Sequence, residues 1–126
     1  MLLNQNDLES QIKASVYFSS VLSWDRFDSL TYMLREGGVR RLIYLLKTSG
    51  DETLQYEILL SIVNISCASQ QQIQVIFEEN LIPTLITFVS SRPHKIAEQA
   101  MVIIIFIRFN NLLLLLIIIM SNNNEQ

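Results

Sequence analysis

The stretch Thr53-Leu54-Gln55-Tyr56-Glu57-Ile58-Leu59-Leu60-Ser61-Ile62-Val63-Asn64-Ile65-Ser66 is echoed about 42 residues later by Ile96-Ala97-Glu98-Gln99-Ala100-Met101-Val102-Ile103-Ile104-Ile105-Phe106-Ile107. An echo at that distance is the mark of a helical solenoid, in which each unit stacks on the one before it. Apolar residues in the first stretch, Leu54, Ile58, Leu59, Ile62, Val63 and Ile65, cannot all point one way on a helix. The sequence therefore predicts a long helix over about residues 52–66 with neighbours on more than one side.

Working outward, the pattern predicts a first helix over about 7–23, with Leu8, Ile12 and Val16 as its apolar stripe and Asp7 or Asn6 as its cap. Trp24-Asp25-Arg26 reads as a connector and Asp28 as the cap of a short helix to about Glu36. Gly37-Gly38 breaks that helix. The next begins at Val39, turns Leu42, Ile43, Leu45 and Leu46 inward, and stops at Ser49-Gly50, where glycine suits a left-handed helix end. Asp51 is placed to cap the long helix.

After a turn at 68–70, a short helix over about 71–79 is expected to bury Ile73, Ile76 and Phe77, with Asn80 ending it. Pro83 fits the first turn of the following helix, where its missing N–H has no intrahelical partner. Leu85, Ile86, Phe88 and Val89 are that helix's expected core side. Ser90-Ser91-Arg92-Pro93 forms a corner, and a second long helix starts near His94. Short, short, long occurs twice, after the last helix of an earlier unit. The predicted fold is all-α, a right-handed armadillo-repeat solenoid of about two full repeats plus part of a preceding one. It divides into a short tail at 1–6, repeats at 7–107, and an apolar then Asn-rich tail at 108–126.

Composition narrows the function classes. The 126 residues carry a net charge of -3 and are 50% hydrophobic, enough for a core and without the basic balance of a nucleic-acid protein. The single cysteine, Cys67, cannot pair internally, which places the expected protein inside the cell. Met101 to Met120 is almost wholly apolar and near the length of a membrane span. Arg108, Asn110 and Asn111 interrupt it at a cost of roughly 2.5 to 3.5 kcal/mol for the charge alone, so a buried repeat helix running into a low-complexity tail is expected rather than a membrane anchor.

The words Thr53-Leu54-Gln55-Tyr56-Glu57, Asn64-Ile65, Ser69-Gln70-Gln71-Gln72, Leu81-Ile82-Pro83 and Glu98-Gln99-Ala100 resemble, in order and spacing, the first armadillo repeats of importin alpha. That family is the adaptor that recognises nuclear localisation signals. Leu8 through Ala14 and Phe18 through Ser23 also look like the opening helices of its repeat domain. The resemblance covers about residues 7–107 and implies nuclear import, basic signal peptides of cargo proteins as partners, a cytoplasmic and nuclear location, no cofactor and no catalysis.

In that family the third helix of each repeat carries a tryptophan and, four residues on, an asparagine, which project from one face. The tryptophan offers cation-π attraction to lysine or arginine, and the asparagine amide bonds the peptide backbone. Mapped here, Asn64 matches a groove asparagine and Gln99 a groove glutamine. Leu60 and Val102 stand at tryptophan positions, and Phe106 at an asparagine position. These three cannot supply the family's contacts, so weak signal binding is expected. Two further departures from the family pattern are the absence of a basic run before the repeats, which would meet importin beta, and the apolar tail in place of more repeats. They suggest a truncated or partial form whose open end lacks a polar capping repeat. An armadillo scaffold for another partner is the alternative reading, and a tail-anchored membrane protein stands behind both.

Blander roles suit other residues. His94 beside Pro93 has no ligand at metal spacing and reads as a corner residue. Cys67 reads as packing, Gly37-Gly38 as a helix break lacking a phosphate loop's other residues, and Asn64-Ile65-Ser66 as a glycosylation sequon only by coincidence. Among Glu57, Glu78, Glu79 and Glu98, some could attract a basic peptide and the rest form solvated faces.

Overall fold

The computed structural model describes residues 6–24, 37–68, 76 and 78–124. Among them are five helices and no strand: α1 (Leu8–Trp24), α2 (Gly38–Thr48), α3 (Glu52–Ala68), α4 (Ile82–Ser91) and α5 (His94–Asn124). α3 packs against α1 on one side and α5 on the other, α2 backs α3, and α4 backs α5. The result is an all-α solenoid whose row α1, α3, α5 repeats the same helix one unit at a time.

Local chemistry sets the helix starts. Asp7 Oδ2 accepts the Ser10 N–H at 3.1 Å, and Asp51 Oδ1 accepts the Leu54 N–H at 2.8 Å; each satisfies a donor that has no intrahelical partner. Pro93 takes the same place before α5, its carbonyl accepting from Ala97 as those of Asp7 and Asp51 accept from Gln11 and Gln55. Gly37 and Asn80 open α2 and α4 with positive φ, 70° and 56°, the region glycine and asparagine tolerate best. At the far end of α2 the expectation of a left-handed glycine is corrected. Among the described glycines only Gly37 has positive φ. Ser49 ends α2 in an extended conformation, with its Oγ accepting from Asp51 N–H and its carbonyl from Gln55 Nε2.

The core follows the predicted α2 stripe, Leu42, Ile43, Leu45 and Leu46, and the predicted α3 set, with Leu54, Ile58, Leu59, Ile62 and Ile65 buried and Val63 packed against them. Two expectations fail. On α1 the ends of the expected stripe, Leu8 and Val16, are exposed while Ile12 packs against the core, and Gln11, Ala14 and Ser15 form the buried face. Small side chains there let α1 approach α3 closely enough for Ser61 Oγ to donate to the Ser15 carbonyl at 3.2 Å. On α4, Leu85 and Phe88 are buried as expected, while Ile86 and Val89 face outward. The short helices expected at 28–36 and 71–79 lie outside the described residues, apart from helical positions at Ile76 and Glu78. A further difference lies beyond Ile107, where α5 continues as helix through Asn124.

Charged groups fasten α2 to the approach of α4. Arg40 Nε lies 2.9 Å from Glu79 Oε1, and Lys47 Nζ donates to the Glu79 carbonyl at 2.6 Å. These solvent-facing contacts contribute little beside the apolar interior.

Ile58→Ala should therefore lower unfolding free energy by about 2–5 kcal/mol, read by urea denaturation, whereas Tyr44→Ala on the exposed side of α2 should change it by less than about 0.5 kcal/mol. Acid acts on the start of α1 through Asp7. Hydrogen bonds from the Ser10 hydroxyl and then the Ser10 backbone N–H hold the Asp7 carboxyl below its ordinary value. A carboxyl lowered by folding stabilises the native state above its unfolded pKa, about 3.9, and loses that contribution as pH falls through the folded value. Protection of the first-turn amides of α1, measured against the intrinsic exchange rate at each pH, should fall below about pH 4, and Asp7→Asn should remove that fall.

Candidate functional site

One face of α3 carries Glu57, Leu60 and Asn64, all partly exposed. Spacings of three and four residues put them on one side of the helix, about 5 to 6 Å apart along its axis. One unit on, α5 presents Gln99, Val102 and Phe106 with the same partial exposure. The register is fixed by the equivalent hydrogen bonds of Asp51 and Pro93, which make Gln99 the counterpart of Glu57, Val102 that of Leu60, and Phe106 that of Asn64. On α1 the equivalent of Leu60 is the exposed Val16, and that of Glu57 is Lys13.

All five sequence-derived positions, Leu60, Asn64, Gln99, Val102 and Phe106, thus fall on one face of the helix row. Neighbouring helices lie about 8–10 Å apart and an extended peptide advances about 3.3 Å per residue. A strand crossing the row would meet a new rung roughly every third residue. The rungs differ in chemistry. Val16, Leu60 and Val102 make an aliphatic line, and Asn64 and Gln99 supply amides to either side of it.

Sequence reasoning missed an aromatic on this side of the row. Tyr56 of α3 is half-buried, and Lys95 of α5 places its Nζ 4.6 Å from the ring centroid. An ammonium over an aromatic face is the attraction by which a peptide lysine would be held; here the ring already carries a lysine of the neighbouring helix. The signal was present in sequence, since Tyr56 and Lys95 are near one repeat apart, but only the packing of α3 on α5 brings them together.

Charges on the same side are paired locally. Lys13 Nζ lies 2.8 Å from Glu9 Oε1, and His94 Nε2 lies 3.0 Å from Glu98 Oε1, which gives the corner histidine a partner within its own helix. Among the described residues no group of three or more His, Cys, Asp or Glu is gathered where a metal ion could sit. The Cys67 side chain is outside the described set. The surface offers apolar contact and amide hydrogen bonds, the chemistry of recognition.

No family model matches the chain. Curated proteins similar to it include an importin subunit alpha of Saccharomyces cerevisiae, 26% identical over 77% of this chain, the importin subunit alpha-1b of Oryza sativa subsp. japonica, 25% identical over 79%, and the importin subunit alpha-6 of Arabidopsis thaliana, 24% identical over 75%. The chain spans 18% of the length of each of these relatives. Among solved structures, the crystal structure of an engineered protein superposes with a TM-score of 0.76 at 24% identity, covering 86% of this chain and 43% of the other. Distant similarity to importin subunits alpha and a shared all-helical architecture are what the chain has in common with known proteins.

Proposed function

We propose that this chain is a protein-recognition module of the importin alpha type, one that receives an extended segment of a partner protein across α1, α3 and α5. The observation that carries the reading is the alignment of Asn64 and Gln99 on one open face, flanking the aliphatic line, at the positions the resemblance assigns to peptide contact. In this reading the amides of Asn64 and Gln99 bond the peptide backbone. Leu60 and Val102 pack against the aliphatic stems of lysine or arginine side chains, and Glu57 contributes negative charge. The partner class is the basic nuclear localisation signal, with import into the nucleus as the role and cytoplasm and nucleus as the location.

Aliphatic rungs reduce the affinity, because they forgo the cation-π attraction of tryptophan, worth about 0.5 to 2 kcal/mol per contact. They also favour a second reading, a scaffold for a peptide with apolar side chains at every third position. For such a ligand Leu60, Val102 and Phe106 are the better surface.

Fluorescence anisotropy with a labelled lysine-rich peptide and an aliphatic peptide of equal length separates the two readings. Saturable binding of the basic peptide, weakened about 2- to 10-fold by Asn64→Ala, supports the import reading. No binding at high micromolar protein would sink it, and preference for the aliphatic peptide would favour the scaffold. If the missing aromatic contacts limit affinity, Leu60→Trp and Val102→Trp should each tighten basic-peptide binding about 2- to 30-fold.

A further inference from the structure

Tyr56 is the aromatic residue of α3, and its place on the helix brings it into line with the recognition face. Leu60 and Asn64 follow it at intervals of four residues, so the three stand one above another on the same side. The side chain packs against the core and stays partly exposed. Lys95 Nζ stands over the ring, 4.6 Å from its centroid, well inside the reach of a cation-π attraction.

Stacking of the helices does not require this pair. The register that matches Asp7, Asp51 and Pro93 makes Ile12 of α1 the counterpart of Tyr56, and Thr53 of α3 the counterpart of Lys95. α1 and α3 thus pack with an aliphatic residue and an exposed threonine at these two positions. A lysine over a tyrosine is an addition at the junction of α3 and α5. The acidic residue one turn on from Lys95, Glu98, is turned to His94, whose Nε2 lies 3.0 Å from its Oε1, and Lys95 is over the ring instead.

A basic peptide laid across α1, α3 and α5 passes within one helical turn of Tyr56 as it crosses Leu60. Two cations cannot share one ring face, because like charges at such a distance repel. Resting on the basic-peptide reading given above, we propose that Tyr56 is the cation subsite of this face and Lys95 its resident occupant, so that a lysine or arginine of the ligand binds there only by displacing Lys95. Lys95 then acts as a specificity-determining residue. It lowers the affinity of ligands that bring a cation to this rung and leaves those with a neutral side chain there unaffected. Displacement is within reach, since Lys95 is exposed, a cation-π contact at an exposed site is weak, and the four-carbon stem is free to swing aside.

Fluorescence anisotropy of the full chain with the labelled lysine-rich peptide tests the proposal. Lys95→Ala should tighten binding about 2- to 10-fold. In a Tyr56→Leu background, which keeps an apolar side chain against the core, the same change should alter affinity by less than about twofold. The aliphatic peptide should gain nothing from Lys95→Ala. An equal gain with and without Tyr56 makes Lys95 a repelling charge only and overturns the proposal, as does a gain shared by the aliphatic peptide or a basic peptide held no tighter by Lys95→Ala; each of these leaves the import reading standing. Absence of basic-peptide binding by both the original chain and Lys95→Ala overturns that reading and the proposal with it. Proton–carbon NMR gives a second readout that needs no Tyr56 variant. The Lys95 ε-methylene should resonate upfield in the free chain, shielded by the ring, and return toward its ordinary position as the basic peptide saturates. A signal that stays shielded at saturation also overturns the displacement.

Discussion

Everything else in this molecule hangs on the burial of α3. A 17-residue helix apolar on several faces cannot stand in water, and each of its neighbours exists structurally by covering one of those faces. Ser61 bonds α1, α5 of the following unit packs on the other side, and α2 closes the back. Because the cover comes from helices of the same kind at a fixed spacing, the arrangement propagates: α5 is to α4 as α3 is to α2. The open face of the row is then a consequence of the same rule, since a stacked helix leaves free only the side that no neighbour reaches.

The repeat was legible because its signals are local or periodic. The Asp51 cap, the Asn80 stop, Pro83 in the first turn of α4 and the many-sided apolarity of α3 each have a short-range physical cause. What misled was the assumption that every apolar stripe points to the core. Leu8, Ile12 and Val16 on α1 form a good helical stripe, yet only Ile12 of them reaches the core and the buried side is Gln11, Ala14 and Ser15, because close approach to α3 and the Ser61 hydrogen bond favour small and polar residues there. Ile86 and Val89 match the pattern of Ile43 and Leu46 and differ in being exposed, because burial resides in what packs against a helix rather than in its own residues. Gly50 looked like a left-handed helix end, but Ser49 and Gln55 supply the bonds that such an end would otherwise make.

Of the candidate site, the grouping of positions was legible and the chemistry only partly so. A spacing of four residues on one helix places Leu60 and Asn64 together, and the repeat places Val102 and Phe106 beside them. The engagement of Tyr56 by Lys95 was hidden, because it depends on how far α5 slides along α3. That contact and the aliphatic line of Val16, Leu60 and Val102 give this face a character of its own, more apolar and more self-paired than an aromatic groove for basic peptides.

Native-state hydrogen exchange of the full chain tests the primacy of α3 most directly, because protection reports the free energy of opening each helix in turn. Burial between α1, α2 and α5 predicts that the central amides of α3, around Ile58 to Ile62, exchange slowest and only through global unfolding, with α1, α4 and the 112–120 part of α5 opening earlier. An α3 that exchanges as fast as α1, or an α5 extension that outlasts it, would contradict the account.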